Sequence, residues 1–241
     1  MKRRLTLSFD NGPDPECTPG VLDALKRRDV RASFFVCGRG NRLHPALRAD
    51  TPEGRRILDR ARDEGHWIGN HSLSHTLELG TTRDRAAIAR EIDGNQEILA
   101  GWNERRLFRP YMGGGVLSKR TFSPEAIELL CDGGYSVVLF NCVPRDWEDP
   151  GGWPERALAQ MATQAWTLSI VHDVGRYGGM RQLDRFLDTA LDQGFEIVQD
   201  FPPDCVPIRD GLIVGSLDGL VCGDEPEPAS KLSLAAAERV G

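Results

Sequence analysis

The sequence has no apolar run long enough to cross a bilayer. Nothing at its start reads as a signal peptide either. The basic stretch from Met1 to Arg4 is followed by a short apolar run that meets Asp10 at once, which is too short for a signal sequence. We therefore expect a cytoplasmic protein with no membrane partner.

An excess of positive charge is also missing. The chain of 241 residues carries 30 Lys and Arg against 36 Asp and Glu, a formal net charge of −6 at pH 7. Proteins that bind a phosphate backbone or an anionic membrane surface are typically basic. The charge balance therefore predicts no nucleic-acid partner, while nothing in the sequence indicates the oligomeric state.

Paired cysteines and glycine fingerprints are absent as well. The six cysteines stand singly, with no CxxC pair and no zinc-ribbon spacing, which predicts reduced and mostly buried thiols. No Gly-x-Gly-x-x-Gly turn follows any predicted strand, which argues against an open dinucleotide-binding sheet. The chemistry must therefore come from other residues.

What the sequence does contain is a regular alternation of apolar, β-prone runs with amphipathic helices. The alternation repeats about seven times, and no linker is long enough to divide it. It predicts a parallel sheet covered by helices, and seven units fit a barrel better than an open sheet. We expect one barrel domain over residues 1–222 and a mobile tail over 223–241, with a short helix at 232–239.

Polar side chains stand where five of the predicted strands end. Because the carboxyl ends of strands in a parallel barrel open on one face, residues far apart in sequence would converge there. One of these ends is also a strong turn signal, Asn11-Gly12, and that pair alone fits either a tight turn or an active site. The strand-end residues are Asp10, His71, Arg109, Asp146 and His172.

Two of the histidines, His71 and His75, are four residues apart, so on a helical turn both rings would project from one face. They fit either a metal site or a pair of surface or capping histidines. A zinc hydrolase needs about three protein ligands, a base for the water and an acid for the leaving group. Asp10 can be that base, His172 can be the acid, and Arg109 can hold a carboxylate by a bidentate pair.

Five short motifs make the chain resemble the polysaccharide deacetylase family, the NodB-type domain of carbohydrate esterase family 4. Each motif is weak alone, but the set occurs in the family's order between about Leu5 and the strand that ends at Val198. The matching motifs are Ser8-Phe9-Asp10-Asn11-Gly12-Pro13, His71-Ser72-Leu73-Ser74-His75, Arg109-Pro110-Tyr111, Asp146-Trp147 and Ile170-Val171-His172.

The resemblance implies a distorted (β/α)7-type barrel, related to the TIM barrel, that hydrolyses the N-acetyl group of a small or oligomeric N-acetylated carbohydrate. By the same resemblance Asp10 is the general base, and Arg109 positions it. His172 is the general acid, and Asp146 orients and tunes it.

The resemblance also implies a divalent metal, most simply Zn²⁺, and a pocket for the acetyl group. The backbone amide of Tyr111 would help to hold the oxyanion, and the side chains of Trp147 and Val171 would line the acetyl pocket. The implied metal ligands are His71, His75 and Asn11.

The sequence departs from the family pattern at Asn11, where the family has an aspartate as its third ligand. An amide oxygen carries no charge, so the site should hold a metal more weakly, or Asp10 could ligate the metal and cease to be the base. The motif at Arg109 has one proline fewer and runs into Met112 and three glycines, which would shift the oxyanion donor and open the cleft. Exported wall-modifying relatives also carry a signal or anchor that this chain does not show.

Two other functions stay open. One is hydrolysis of a non-sugar linear or cyclic amide or imide, with or without a metal, which Asn11 and the altered arginine motif favour. The other is a non-catalytic carbohydrate-binding barrel whose metal site has decayed. The second is weakened by the other motif residues, because a decayed site would be expected to lose more than one of them.

Overall fold

A computed structural model describes residues 2–40 and 48–229, in which strands and helices alternate along the chain. No helix in these residues is both long and apolar enough to cross a membrane. The strands are β1 (Arg4–Asn11), β2 (Ser33–Val36), β3 (Trp67–Asn70), β4 (Leu107–Phe108), β5 (Ser136–Val137), β6 (Trp166–His172), β7 (Glu196–Val198), β8 (Ile208–Arg209) and β9 (Leu212–Ile213). The α-helices are α1 (Thr18–Lys26), α2 (Pro52–Asp63), α3 (Arg85–Ile98), α4 (Pro124–Asp132), α5 (Trp153–Met161) and α6 (Leu183–Asp192).

The first strand lies at the centre of the sheet. β6 runs parallel to it along its whole length, with Asp10 opposite His172. β2 pairs with residues 8–11 of β1, and β7 pairs with residues 4–6. The parallel order continues from β2 through β3, β4 and β5, and the antiparallel strands β8 and β9 extend it.

Beyond β5, a parallel bridge between Cys142 and Ser169 brings the chain against β6, so the sheet curls towards closure. The described residues thus contain seven parallel strands, with one α-helix between each strand and the next. This arrangement confirms the distorted (β/α)7-type barrel that the sequence predicts.

Alternation along each strand divides its side chains between the barrel interior and the layer under the helices. On β1, Ser8 and Asp10 face the interior, where Arg109 contacts both of them. Leu7 and Phe9 face the other way, into the large core that the helices cover. A smaller apolar cluster fills the middle of the interior, and it consists of Phe35, Leu107, Val138, Leu168, Ile170 and Cys205.

Helix caps follow the sequence in one case and depart from it in another. The sequence predicts Ser123 as the cap of α4, and its hydroxyl accepts the backbone N–H of Ala126 at 3.3 Å. It also predicts Thr18 as the cap of α1, but that prediction is wrong, because Cys17 occupies the cap position. The Thr18 hydroxyl instead donates to Asp173 at 2.5 Å, which ties the start of α1 to the end of β6.

The predicted strand over residues 135–142 is much longer than the observed β5. The amide of Val138 still donates to Phe108 of β4, but the amide of Leu139 donates to Cys205, which lies outside the parallel strands. The change of partner interrupts the regular ladder, and an apolar run alone gives no sign of it.

The tail begins against the domain. The amide of Glu227 donates to the carbonyl of Gly80 at 2.9 Å, and the guanidinium of Arg83 donates to the carbonyls of Gly223 and Asp224. Contacts therefore continue past residue 222, where the sequence predicts the domain to end. The predicted helix at 232–239 lies outside the described residues, as does most of a short irregular or helical piece predicted at 41–48.

Candidate active site

The carboxyl ends of β1, β3 and β6 and the loop after β4 meet at one end of the barrel around a cleft of about 180 Å³. The structure brings the predicted strand-end residues together there. Arg109 and Asp146 are fully buried beside the cleft, where each contacts a residue that lines it. The predicted residues that line the cleft are Asp10, Asn11, His71, His75, Tyr111, Trp147 and His172.

Asp10 and Arg109 form an ion pair inside the barrel. Asp10 is 2% exposed and Arg109 is 0% exposed. Arg109 Nη1 donates to Asp10 Oδ1 at 2.6 Å and to Ser8 Oγ at 2.8 Å, while Nε and Nη2 donate to the carbonyls of Val138 and Leu139. The pair is not the bidentate one that the sequence suggests, since only one carboxylate oxygen is held. These bonds offset part of the cost of burying a guanidinium.

The turn after Asp10 has an unusual backbone. Asn11 has a φ of 84°, a left-handed conformation that Asn adopts more readily than most residues. The Gly12 amide donates to Asp173 Oδ1 at 3.1 Å, and a Cβ at Gly12 would lie 2.2 Å from the other carboxylate oxygen of Asp173. Glycine is therefore required at that position. Because the Asn11-Gly12 turn directly follows Asp10, the turn and the active site share the same segment of the chain.

The side chain of Asn11 is almost completely buried, with 1% exposure, and it borders the cleft. Its Oδ1 atom accepts no hydrogen bond from the residues that the structure describes. Buried polar atoms are nearly always paired in native proteins, so an unpaired one at a cleft indicates a partner other than the protein.

The rings of His71 and His75 lie close together, with their centroids 5.0 Å apart. The helical turn that the sequence suggests is not formed, because Ser72 and His75 have positive φ angles of 66° and 55°. An irregular loop brings the two rings together instead. Such left-handed conformations cost energy at non-glycine residues, and they are often found at functional sites.

His71 is held in a defined tautomer. Its Nδ1–H donates to the carbonyl of Arg109 at 2.9 Å, which leaves the lone pair on Nε2, 3.7 Å from Asp10 Oδ2. Burial lowers the pKa of His71, and the neighbouring Asp10 charge only partly opposes it. A neutral imidazole with one nitrogen fixed by a carbonyl is the form that coordinates metals.

These donors fit a divalent metal. Two imidazoles and the unpaired amide oxygen of Asn11 are ligand types that Zn²⁺ accepts. Within residues 2–40 and 48–229, no three His, Cys, Asp or Glu side chains form a group that could hold a metal. An amide at residue 11 can supply a ligand oxygen, and because Asn is not among those four residue types, this agrees with the absence of such a group. The three side chains carry one negative charge fewer than they would with an aspartate at residue 11.

At the end of β6, Asp146 holds His172 through both carboxylate oxygens. Oδ1 accepts the Nδ1–H of His172 at 2.8 Å, and Oδ2 accepts its backbone N–H at 2.9 Å. Burial acts to lower the pKa of His172, but the charge and hydrogen bond of Asp146, together with the charges of Asp10 and Asp173, outweigh it, so the pKa is raised. With Nδ1 occupied, Nε2 is the ring nitrogen left for the cleft.

Two aromatic rings contact His172 edge-on. The ring centroid of Trp147 is 5.0 Å from that of His172, and the centroid of Tyr177 is 5.8 Å away. Tyr177 lines the cleft, and the sequence reasoning missed it. Its position five residues after a strand-end histidine, in a Gly-rich loop, is the only signal that could have found it.

Val171 does not line the cleft, which corrects the sequence-based expectation. It is completely buried in the core under the helices. Side chains alternate along β6, so when His172 faces the cleft Val171 must face the other way, and Ile170 takes the position in the cleft. The same alternation, applied to the sequence of β6, predicts that Ile170 lines the cleft.

The loop after β4 forms one wall of the cleft. The Tyr111 ring packs against that of His75 at a centroid distance of 4.3 Å. The Gly113 amide donates to the buried carboxylate of Glu78 at 3.2 Å, which anchors the loop. A Cβ at Gly115 would lie 3.4 Å from Trp147, so the glycine lets this wall pack close to the tryptophan. Sequence reasoning also missed Met112 and Phe140 among the lining residues.

Comparison with known proteins gives a consistent result. Residues 1–130 match the family model described as polysaccharide deacetylase. The chain is 29% identical over 201 residues to a peptidoglycan-N-acetylglucosamine deacetylase of Bacillus cereus, covering 80% of this chain and 84% of the relative. It is 31% identical over 171 residues to a chitooligosaccharide deacetylase of Rhizobium leguminosarum bv. trifolii, covering 71% of this chain and 72% of the relative.

The fold also matches a solved structure. The crystal structure of a peptidoglycan N-acetylglucosamine deacetylase superposes with a TM-score of 0.68 at 23% sequence identity, over 87% of this chain and 90% of that one. At this identity the likeness concerns the fold alone, and it agrees with the barrel described above.

Proposed function

Because the chain belongs to the polysaccharide deacetylase family, we propose that it removes the N-acetyl group from an N-acetylated carbohydrate in a metal-dependent reaction. The chain is a hydrolase of carbon–nitrogen bonds other than peptide bonds. The relatives named above act on peptidoglycan or chitooligosaccharide, and a small or oligomeric N-acetylated sugar is the substrate class that we propose for this chain.

The observation that carries the proposal is the pairing of two carboxylates with different partners around one cleft. Asp10 is held by the cation of Arg109, whereas Asp146 is held by His172. Amide hydrolysis needs a base for the attacking water and an acid for the departing amine. The Asp10–Arg109 pair supplies the base, and the Asp146–His172 pair supplies the acid.

Asp10 is the proposed base. Arg109 occupies Oδ1 and keeps the carboxylate in place, so Oδ2 is the oxygen that takes a proton from the attacking water. The arginine is fully buried and bonded at each of its nitrogens, so it positions Asp10 without itself reaching the substrate.

The proposed metal ligands are His71, His75 and Asn11, and Zn²⁺ is the simplest choice. When bound there, the metal would supply Lewis acidity to the acetyl carbonyl and to the water nucleophile. The support from this chain is the neutral tautomer of His71 and the unpaired Oδ1 of Asn11.

His172 is the proposed acid. Its raised pKa keeps the ring protonated closer to neutral pH, and Nε2–H gives its proton to the amide nitrogen as the C–N bond breaks. The products are acetate and a free amino sugar. We propose that the backbone amide of Tyr111 stabilises the oxyanion, and that Trp147 and Ile170 enclose the acetyl methyl.

A second candidate function has one observation in its favour. The uncharged ligand at Asn11 weakens the metal site, which would suit a hydrolase of cyclic amides or imides that works without a metal. Such an enzyme would still use Asp10 and His172. Turnover of a cyclic imide by protein that has been dialysed against chelator would support it.

The test is acetate release from N-acetylglucosamine oligomers, measured with and without chelator. We expect release by the wild type, loss with chelator, and recovery when Zn²⁺ is added back. Asp10→Ala should abolish release, whereas Asp149→Ala, an exposed carboxylate outside the cleft, should leave it unchanged. Full activity in both Asp10→Ala and His75→Ala would contradict the proposal.

A further inference from the structure

A second cleft lies at the opposite end of the barrel. It is bounded by the residues that begin four parallel strands, Trp67, Leu107, Ser136 and Trp166, and by the segment 200–210. We call it the lower cleft. Its volume of about 480 Å³ falls within the roughly 300–1,000 Å³ typical of small-molecule sites. Because it lies at the amino ends of the strands, a ligand there would not compete with one at the catalytic cleft.

The inner part of the lower cleft is apolar and aromatic. Leu107, Val138 and Val206 are buried beneath it, and the rings of Trp67 and Trp166 are only partly covered. Phe201 packs edge-on against Trp67 with a centroid distance of 5.5 Å. The arrangement provides flat apolar walls of the kind on which the C–H faces of a ring can stack.

Cations next to the two tryptophans fix the geometry of these walls. The Arg105 guanidinium lies 4.2 Å from the centre of the Trp67 ring, within the range of a cation–π contact. The Arg4 guanidinium lies 3.7 Å from the centre of the Trp166 ring, but Arg4 does not line the lower cleft. Arg105, by contrast, lines the lower cleft and is exposed, so its guanidinium is a donor group within reach of a ligand there.

The rim of the lower cleft carries two cations and two carboxylates, all of them exposed: Arg105, Arg209, Asp200 and Asp210. Asp210 Oδ1 accepts the Ser136 hydroxyl at 3.1 Å. In the described part of the chain, neither arginine has a carboxylate within 4 Å. The rim therefore has as many positive as negative side chains and carries no net charge.

We propose that the lower cleft is a second, non-catalytic site for a neutral saccharide. The balanced rim offers nothing to favour a phosphate or another anion, and its charges do not suit a purely apolar ligand. Aromatic walls with guanidinium donors and carboxylate acceptors at the rim match the apolar faces and hydroxyl edges of a sugar. The choice of an N-acetylated oligosaccharide as the sugar rests on the proposed function.

The test uses the full chain carrying Asp10→Asn, so that the probe is not consumed and the buried Arg109 guanidinium keeps a hydrogen-bond acceptor. The probe is the trisaccharide of N-acetylglucosamine, titrated calorimetrically to about 10 mM, a concentration that saturates a millimolar site. The probe also fits the catalytic cleft, so we expect two binding events. Adding Arg105→Ala or Trp166→Ala should weaken one of them at least about tenfold, because a wall or a charged donor of the lower cleft is lost. Arg62→Ala, an exposed arginine on α2, is the matched control and should change nothing.

Unchanged affinity and stoichiometry in both Arg105→Ala and Trp166→Ala would overturn the lower cleft as a saccharide site, and so would the absence of any binding at the highest concentration. Arg105 is exposed, so its variant serves as the check if Trp166→Ala fails to fold. Acetate release by the wild type combined with unaltered binding in these variants would refute only the lower cleft. Variant-sensitive binding without acetate release would refute only the proposed function.

Discussion

At the scale of single residues, the catalytic cleft depends on two carboxylates whose partners give them different roles. Arg109 bonds to one oxygen of Asp10 and leaves the other for a proton. Asp146 uses both of its oxygens on His172 and raises the pKa of that ring against the effect of burial. Separate environments for two titratable groups are how one site holds a base and an acid at the same pH.

Replacing Asp146 by asparagine tests the acid. In the proposed mechanism His172 acts in its protonated form, so activity should fall as the pH rises through its pKa. The change removes the charge that most strongly opposes the effect of burial, so the pKa of His172 should fall and the alkaline limb of kcat/KM against pH should move to lower pH. The rate at neutral pH should fall by roughly 10²- to 10⁴-fold. The control is Asp149→Asn, which changes an exposed carboxylate on the same loop and should not move the alkaline limb. If the alkaline limb did not move in Asp146→Asn, His172 would be excluded as the acid.

Replacing Arg109 by leucine tests the buried ion pair that holds the proposed base. The change leaves the Asp10 carboxylate buried without a cation, and removing one partner of a buried pair costs about 3–5 kcal/mol. Urea unfolding should show a loss of that size. The double variant Asp10→Asn with Arg109→Leu removes both charges and should recover part of it. A loss below about 1 kcal/mol in the single variant would show that the pair contributes little to stability.

At the scale of the elements, the loops that follow β1 and β6 are joined below the cleft. Asp173 accepts the Gly12 amide through one oxygen and the Thr18 hydroxyl through the other, so it connects the end of β1, the start of α1 and the end of β6. This connection holds the Asn11-Gly12 turn in its left-handed conformation. Asp10 and His172, which immediately precede the joined segments, are thereby held in register.

The titration of Asp173 gives a prediction at this scale. Burial raises its pKa from 3.8 to about 7, so between those values the folded chain holds a proton that the unfolded chain has lost. The stability that this carboxyl contributes is complete below about pH 3.8 and is lost as the pH rises through about 7. The Tm of the wild type should therefore fall relative to that of Asp173→Asn between about pH 4 and pH 7.

The control for this prediction is Asp192→Asn, which changes an exposed carboxylate at the end of α6. Its Tm should follow that of the wild type across the same range of pH. If the difference between the wild type and Asp173→Asn did not depend on pH, Asp173 would be ionised in the folded chain throughout, and its carboxyl would not oppose folding at neutral pH.

At the scale of the whole molecule, the barrel interior changes character along its axis. Charged groups and the proposed metal ligands lie at the carboxyl ends of the strands, apolar side chains such as Phe35 and Leu168 fill the middle, and the aromatic lower cleft lies at the other end. The apolar middle separates the two clefts, so water and charge at one end are isolated from those at the other.

The sequence was sufficient for the parts of this architecture that depend on local pattern. The strand–helix alternation predicted the barrel, and the motifs predicted that Asp10, His71 and His172 would share one cleft, because parallel strands end on one face. Which side chains of a strand face the cleft was harder to predict. The family resemblance places Val171 in the cleft, whereas the alternation along β6 places Ile170 there.

Features that need contacts between distant segments could not be predicted. The bond from the Leu139 amide to Cys205, which ends β5 within its apolar run, and the bridge from Cys142 to Ser169 both depend on how the sheet closes. The lower cleft depends on the segment around Phe201 packing beneath β3. An irregular loop with positive φ angles at Ser72 and His75 brings the rings of His71 and His75 together, without the helical turn that their spacing suggests.

The central claim is that this cleft is a metal-dependent deacetylase site with one ligand weakened at Asn11. The most direct measurement is the zinc content and acetate release of the wild type and of Asn11→Asp, with His75→Ala as the variant that should lose both. Aspartate also tolerates the left-handed backbone at this position, so the turn should survive the change. We predict that Asn11→Asp binds zinc more tightly and releases acetate at least as fast as the wild type. Tighter zinc binding together with loss of acetate release would contradict the claim, because it would show that Asn11 serves a different reaction.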